Sequence, residues 1–106
     1  MFFHATMTHT EDNCPGYQRE MMPEVLEAFE KLESLANELN IKRHSLVWCP
    51  PDHLAFALLE AESLSAVSRY LFSIPIRQDI KVVPVEHMED TMVMAKRMMA
   101  DAQKQG

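Results

Sequence analysis

Histidine side chains are the residues of this 106-residue chain whose chemistry is easiest to recognise from type and position. His4, His44 and His53 each lie in a segment that alternates between apolar and polar residues as a β-strand does. A neutral imidazole titrates at about pH 6.5 and can therefore move a proton at physiological pH. We predict His4 or His44 as the base of a proton-transfer reaction such as an isomerisation. The simpler alternative is that all three are surface or interface histidines with ordinary hydrogen bonds.

A second group of residues has the chemistry of metal ligands. His9 and Cys14 are five positions apart, at the end of a strand and in the loop that follows it. Imidazole and thiolate are good ligands for zinc, copper or nickel, so we predict a metal site at His9 and Cys14, with His4 and His53 as further candidates. No Cys-x-x-Cys or His-x-x-x-His motif supports this prediction, and the alternative is that the cysteines are inert small side chains.

Several residues near the histidines are suited to binding a small organic substrate. The loop over residues 10–22 has the length of a binding loop or lid, and an arginine there can pair with an anion through two hydrogen bonds. Aromatic residues on the strands would supply apolar walls. A solvated connection is an equally simple interpretation of the loop. The predicted substrate contacts are Phe2, Thr6, Tyr17, Arg19, Trp48 and His53.

Composition and charge exclude several classes of function. A net charge of −6 and a pI of about 5.3 leave no excess of lysine and arginine to neutralise phosphates, so we expect no nucleic acid partner. The chain has no apolar run of the roughly 20 residues that cross a membrane, and its start does not resemble a signal peptide. Two cysteines cannot form the disulfide framework of a secreted protein, although one Cys14–Cys49 bridge stays open. We expect a cytoplasmic protein with one domain over residues 1–106.

The order of predicted elements is β-α-β-β-α-β-α. Periodicity, together with proline, asparagine and serine at the ends of segments, gives their bounds. The predicted strands cover 1–9, 42–49, 53–59 and 76–85, and the predicted helices cover 23–39, 63–75 and 88–103. The first six elements follow the ferredoxin-like pattern, in which two helices cover one face of a four-stranded antiparallel sheet.

The other face of this predicted sheet would be uncovered. In the first strand Phe3, Ala5 and Met7 alternate with Phe2 and His4, so one side is apolar and the other is mixed. A partly apolar sheet face left bare in a small protein normally marks an interface. We therefore predict a homodimer in which the open sheet faces meet around a shared interior, with a small molecule as the ligand.

The strand sequences resemble those of the dimeric α+β barrel superfamily. The resemblance is carried by Met1–Met7, the strand of Trp48, the hairpin to Phe56 and the segment Ile80–Val85. Arg43-His44 before the tryptophan is similar to the muconolactone isomerase branch. The segment from Thr8-His9 to Cys14-Pro15 and the sequence Val83-Pro84-Val85 are similar to a small uncharacterised bacterial family in the same superfamily.

This resemblance covers residues 1–86 and implies a dimeric barrel with a ligand cavity. Superfamily members include isomerases, cofactor-free oxygenases, haem enzymes and binding proteins, so the resemblance implies no particular cofactor or substrate. Two functions follow as hypotheses. The first is a small-molecule-binding barrel that is a cofactor-free isomerase or related proton-transfer enzyme. The alternative is a non-enzymatic metal-binding or ligand-sensing protein. A module that uses its sheet face only to dimerise remains a third interpretation.

Overall fold

The fold is an antiparallel four-stranded sheet with two helices on one face and a third helix that extends away from it. The computed structural model describes residues 1–105. The strand order is β2-β3-β1-β4, so β1 and β3 are central, as the predicted topology requires. The elements are β1 (Phe2–Thr8), α1 (Met22–Glu38), β2 (Lys42–Cys49), β3 (Leu54–Glu60), α2 (Leu64–Phe72), β4 (Asp79–Val85) and α3 (Met88–Gln105).

The ends of these elements follow from local chemistry. Ser63 caps α2, and its hydroxyl accepts a hydrogen bond from the backbone amide of Ala66 at 3.1 Å. Asn40 has a φ of 56° just after α1, where the sequence predicts a left-handed residue. Pro84 lies on β4, which is an edge strand, and an edge is where a strand tolerates proline.

Two predicted bounds were wrong by three residues, and both lie at the connection between α2 and β4. α2 ends at Phe72, although the sequence predicts that the helix continues to Pro75. Ile74 and Ile76, in the segment between α2 and β4, are nevertheless buried in the hydrophobic core. β4 begins at Asp79, three residues later than predicted.

The core lies between the sheet and the two covering helices. Strand alternation sends every second residue of β1 and β3 into it. Tyr70 is fully buried on α2, and its hydroxyl lies 3.5 Å from Nη1 of Arg43. The buried core residues of β1, α1, β3 and α2 are Phe3, Ala5, Met7, Val25, Leu32, Ala36, Ala55, Ala57, Leu59, Val67, Tyr70 and Leu71.

A β-bulge in β2 overturns one prediction about faces. Arg43 pairs with Leu59 and Ser45 pairs with Leu58, so His44 is an extra residue without a partner in the ladder. The inserted residue shifts the alternation by one position. His44 therefore lies on the open face, whereas Trp48 packs on the helix side. Simple alternation over residues 42–49 predicts that His44, Leu46 and Trp48 share one face, and the bulge makes this prediction wrong.

The second face of the sheet is uncovered, as the sequence predicts. β1, β3 and β4 present aromatic and aliphatic side chains there among polar ones. α3 does not cover this face, and none of its described residues is buried. The described chain consequently measures 66 × 30 × 18 Å. Within residues 1–105 no helix combines the length and hydrophobicity that a membrane span requires.

Candidate functional site

Two histidines meet at the end of the sheet where β1 finishes and β3 starts. Thr8 pairs with Leu54 in the antiparallel ladder, so the next residue of one strand and the preceding residue of the other are neighbours. The backbone amide of His9 donates to the carbonyl of His53 at 3.2 Å. The two ring centroids are 5.0 Å apart. The strand register thus brings His9 and His53 together from distant parts of the chain.

Cys14 reaches the same place from the loop after β1. Residues Glu11–Asn13 form a short 3-10 turn, and the carbonyl of Cys14 then accepts hydrogen bonds from the amides of Tyr17 at 3.0 Å and Gln18 at 2.8 Å. These bonds turn the loop back towards the sheet. His9, Cys14 and His53 each present one potential ligand atom, and these atoms all lie within 4.8 Å of one another.

The two imidazoles in this group are short of hydrogen-bond partners. Nε2 of His9 and Nδ1 of His53 are shielded from solvent, and neither has a partner among the described residues. Buried polar atoms of this kind are rare in folded proteins and point to a missing ligand, ion or water. Burial, and to a smaller extent the charge on His53, lower the pKa of His9. The neutral form that binds metals is therefore favoured.

His53 also has an unusual backbone. Its φ of 54° and ψ of 41° place it in the left-handed region, directly after the Pro50–Asp52 turn. Residues other than glycine adopt this conformation at a cost of about 1 kcal/mol or more. This strained backbone therefore lies at one member of the histidine pair.

A mainly apolar cavity of about 290 Å³ adjoins the three side chains, and we call it the His9 hollow. Trp48 forms part of its wall, with its ring centroid 5.3 Å from that of Phe29 on α1. The residues that line the hollow are His9, Cys14, Pro15, Gly16, Met22, Val25, Phe29, Trp48, Cys49, Pro50, His53, Leu54 and Ile76. Cys14 and Cys49 are both free thiols, so they do not form the bridge that the sequence left open.

A larger and more polar depression, of about 580 Å³, shares His9 and Ile76 with the His9 hollow. Gln78 lines this depression, and both polar atoms of its side-chain amide are buried without a described partner. Sequence reasoning missed Gln78 because it lies in a segment predicted as strand.

The residues predicted as metal ligands are brought together in part. His9 and Cys14 lie side by side, and His53, a further candidate ligand, joins them. His4 does not. Because the first and third strands are central neighbours in this topology, the sequence predicts that His4 approaches His53. That prediction was wrong, since His4 pairs with Leu58 and Val83 in mid-strand. Antiparallel register determines this outcome, because it places His53 opposite the end of β1 and not its beginning.

The predicted catalytic residues lie on the open face, away from the His9 hollow. His4 has its ring 6.1 Å from that of Phe56. Nε2 of His44 lies 3.0 Å from Oε1 of Glu60, and its ring is 5.1 Å from that of Phe2. The first cause of the lowered pKa of Glu60 is this hydrogen bond with His44. Their catalytic roles stay a prediction.

The predicted substrate contacts divide between two places. Phe2 and Thr6 lie on the open face with His4. Trp48 and His53 line the His9 hollow. Tyr17 is exposed, with its ring 6.0 Å from that of His53, and Arg19 is exposed in a 3-10 turn before α1.

Sequence reasoning missed Phe29 and Ile76 as parts of the apolar wall of the His9 hollow. Phe29 was assigned to the helix core, because its spacing matches the core stripe of α1. Ile76 was assigned to a strand, although it lies in the connection before β4. No local signal distinguishes a cavity wall from a packed core, since both consist of the same residue types.

Comparison with known proteins identifies the fold. No protein-family model matches the chain, and no curated protein matches it either. Among solved structures, muconolactone isomerase is similar with a TM-score of 0.55 and 20% identity over 83% of this chain and 92% of that chain. The protein SCO4226 of Streptomyces coelicolor A3(2) is similar with a TM-score of 0.52 and 16% identity, over 82% of this chain and 100% of that one.

A designed protein gives the same result. The de novo designed protein Ferredog-Diesel is similar with a TM-score of 0.51 and 10% identity over 79% of this chain and 85% of its own. A natural isomerase and a designed protein thus share this architecture, so the likeness identifies the fold and not the function. The chain has the ferredoxin-like α+β fold, which muconolactone isomerase shares, and the fold class predicted from the sequence is confirmed.

Proposed function

We propose that this protein binds a transition metal ion through His9, Cys14 and His53. The observation that carries the proposal is the convergence of three potential ligand atoms within 4.8 Å of one another. Ligand atoms around a tetrahedral zinc ion with bonds of about 2.0–2.3 Å are about 3.5 Å apart. Modest rotations of the three side chains therefore bring them to bonding distance.

The environment of the three side chains supports this proposal. The buried nitrogens of His9 and His53 lack partners, and a metal ion would satisfy one nitrogen of each ring. The lowered pKa of His9 favours its neutral form, so fewer protons have to leave when metal binds. Two imidazoles and one thiolate suit zinc, copper or nickel better than magnesium or calcium, which prefer oxygen ligands.

The test is metal binding by protein purified without an affinity tag. Metal content would be measured by mass spectrometry after incubation with zinc, nickel or copper and removal of excess ion. We expect one ion per chain. At a free metal concentration of about one hundred times Kd, the ion stabilises the folded state by about 2.7 kcal/mol, which a thermal unfolding curve resolves.

Variants distinguish this site from adventitious binding. His9→Gln and Cys14→Ser should each weaken binding by at least about tenfold, since each removes one ligand. His87→Gln removes an imidazole outside the His9 hollow, and Cys49→Ser removes a thiol that lines the hollow without belonging to the donor group; both controls should retain the ion. Equal loss in the controls, or full binding by Cys14→Ser, would contradict the proposal.

We further propose that the chain forms a homodimer through the open face of its sheet. This face is uncovered, and Val47, Val83 and Val85 are 54%, 37% and 37% exposed. α3 adds a methionine-rich side that packs on nothing in the described chain, with Met92 and Met99 more than half exposed. Apolar surface of this extent normally marks an interface, and methionine adapts well to one.

A further inference from the structure

The His9 hollow contains more than a set of metal ligands. Beyond the three donor side chains, its wall turns aromatic and aliphatic. Phe29 and Trp48 meet edge to face across 5.3 Å, a geometry that aromatic pairs favour. Met22, Val25, Leu54 and Ile76 extend the apolar surface around them. A site that only stores an ion has no use for an open apolar space next to it.

The number of protein ligands leaves room for another. Metal sites that only support structure usually have four protein ligands, whereas sites that bind a further molecule have three and keep one position open. His9, Cys14 and His53 form a group of three. The hollow measures about 290 Å³, which is at the lower end of the range of about 300–1,000 Å³ for ligand pockets. The additional ligand is therefore a small molecule.

Charge determines the head group of that molecule. A divalent ion with one thiolate and two neutral imidazoles carries a net charge of one positive unit. Among the described residues that line the hollow, none is a carboxylate that would neutralise this charge, and none is a lysine or arginine. An unbalanced charge next to an apolar surface is costly. An anionic head group on the open metal position removes that cost.

We propose that the His9 hollow binds a small hydrophobic monoanion, whose anionic head completes the metal coordination and whose body contacts Phe29 and Trp48. This inference rests on the proposed metal site. The anionic head and the hydrophobic body contribute separately to affinity, because the metal binds the head and the aromatic wall binds the body. Molecules that have only one of the two parts should therefore bind more weakly than a molecule that has both.

The experiment compares three probes on cobalt-loaded protein. Cobalt occupancy is measured first, and its visible absorption spectrum then reports changes in coordination. Phenylacetate has both parts, acetate has only the head, and 2-phenylethanol has the body with a neutral head. Trp48 is the only tryptophan of the chain, so its fluorescence gives an independent signal from the wall of the hollow. We expect phenylacetate to bind at least tenfold more tightly than either other probe, and to lose this advantage without cobalt.

Two variants test the wall separately from the metal. Phe29→Ala and Trp48→Leu should each weaken the binding of phenylacetate at least fivefold, while cobalt occupancy stays at one ion per chain. Leu26→Ala, on the same helix and 50% exposed, should leave phenylacetate binding unchanged. Trp48 lies at the rim with 36% exposure, so its variant should fold even where Phe29→Ala does not.

The outcomes distinguish a failure of this inference from a failure of the proposed metal site. Full cobalt occupancy with equal affinity for phenylacetate and acetate would overturn the inference and leave the metal site intact. Equal binding of phenylacetate with and without cobalt would overturn it as well. Failure to bind cobalt, zinc, nickel or copper would remove the metal site and the inference together.

Discussion

The backbone amide of His9 donates a hydrogen bond to the carbonyl of His53 at 3.2 Å. The two imidazole rings meet edge to face, with their centroids 5.0 Å apart. One residue follows β1 and the other precedes β3, so the central antiparallel pair of the sheet holds them in place. The position of the proposed metal site is thus determined by the register of the central strand pair.

The left-handed backbone of His53 predicts that replacing this residue abolishes metal binding without lowering the free energy of unfolding. His53→Gly removes a strained conformation and an unpartnered buried nitrogen, so the free energy of unfolding without metal should be unchanged or higher by up to about 1 kcal/mol. Metal binding should be lost. Asn40→Gly is the matched control, because Asn40 has a φ of 56° and does not line the His9 hollow. Urea unfolding and metal content measure the two effects. A marked loss of stability in His53→Gly would show that the histidine serves the fold.

The open sheet face predicts a dimer that a single charge disrupts. Val83→Lys places an ammonium group on this face, next to His4 in the ladder, and burying an unpaired charge in an interface is unfavourable. The dimer dissociation constant should rise at least about tenfold by sedimentation. Leu26→Lys, on the outer side of α1 and 50% exposed, should leave it unchanged. A wild-type protein that sediments as a monomer at micromolar concentration would contradict the prediction.

The hydrogen bond between His44 and Glu60 predicts that part of the stability of the folded state is lost at acid pH. It lowers the pKa of Glu60 in the folded chain below the ordinary value of 4.5. The unfolded chain then binds a proton more readily, so this contribution is present above pH 4.5 and is lost as the pH falls through the folded-state pKa. Glu60→Gln should flatten the decline of the urea midpoint below pH 4.5. Glu62→Gln, a nearby exposed residue, is the control and should preserve the decline.

The cap of α2 gives a prediction that is independent of any ligand. Ser63→Ala removes the hydroxyl that accepts from the amide of Ala66, and loss of such a cap costs about 1 kcal/mol. Ser65→Ala, at an exposed position inside the helix, should change the free energy of unfolding by less than about 0.5 kcal/mol. Urea unfolding of both variants measures the difference. Metal content should be normal in each, since α2 does not supply a ligand.

Much of the fold was predictable because its signals are local. Alternation in Phe2–Thr8 and the helical spacing of Phe29, Leu32 and Ala36 depend on neighbouring residues alone, and both elements lie where periodicity places them. The ends near Pro75 and His53 were less accurate, since a turn and a buried connection interrupt the pattern there. The bulge at His44 was not predictable, because it depends on how two strands pair.

The sequence by itself determined the order of the elements and the uncovered sheet face, and it predicted His9 and Cys14 as candidate metal ligands. Residue type and short-range spacing carry all of that information. Only the tertiary structure decided that His53 joins them while His4 does not, and that Trp48 lies beside Phe29 and away from His44. Those relationships depend on strand register and on one inserted residue, and a change of a single position in either moves a side chain to the opposite face.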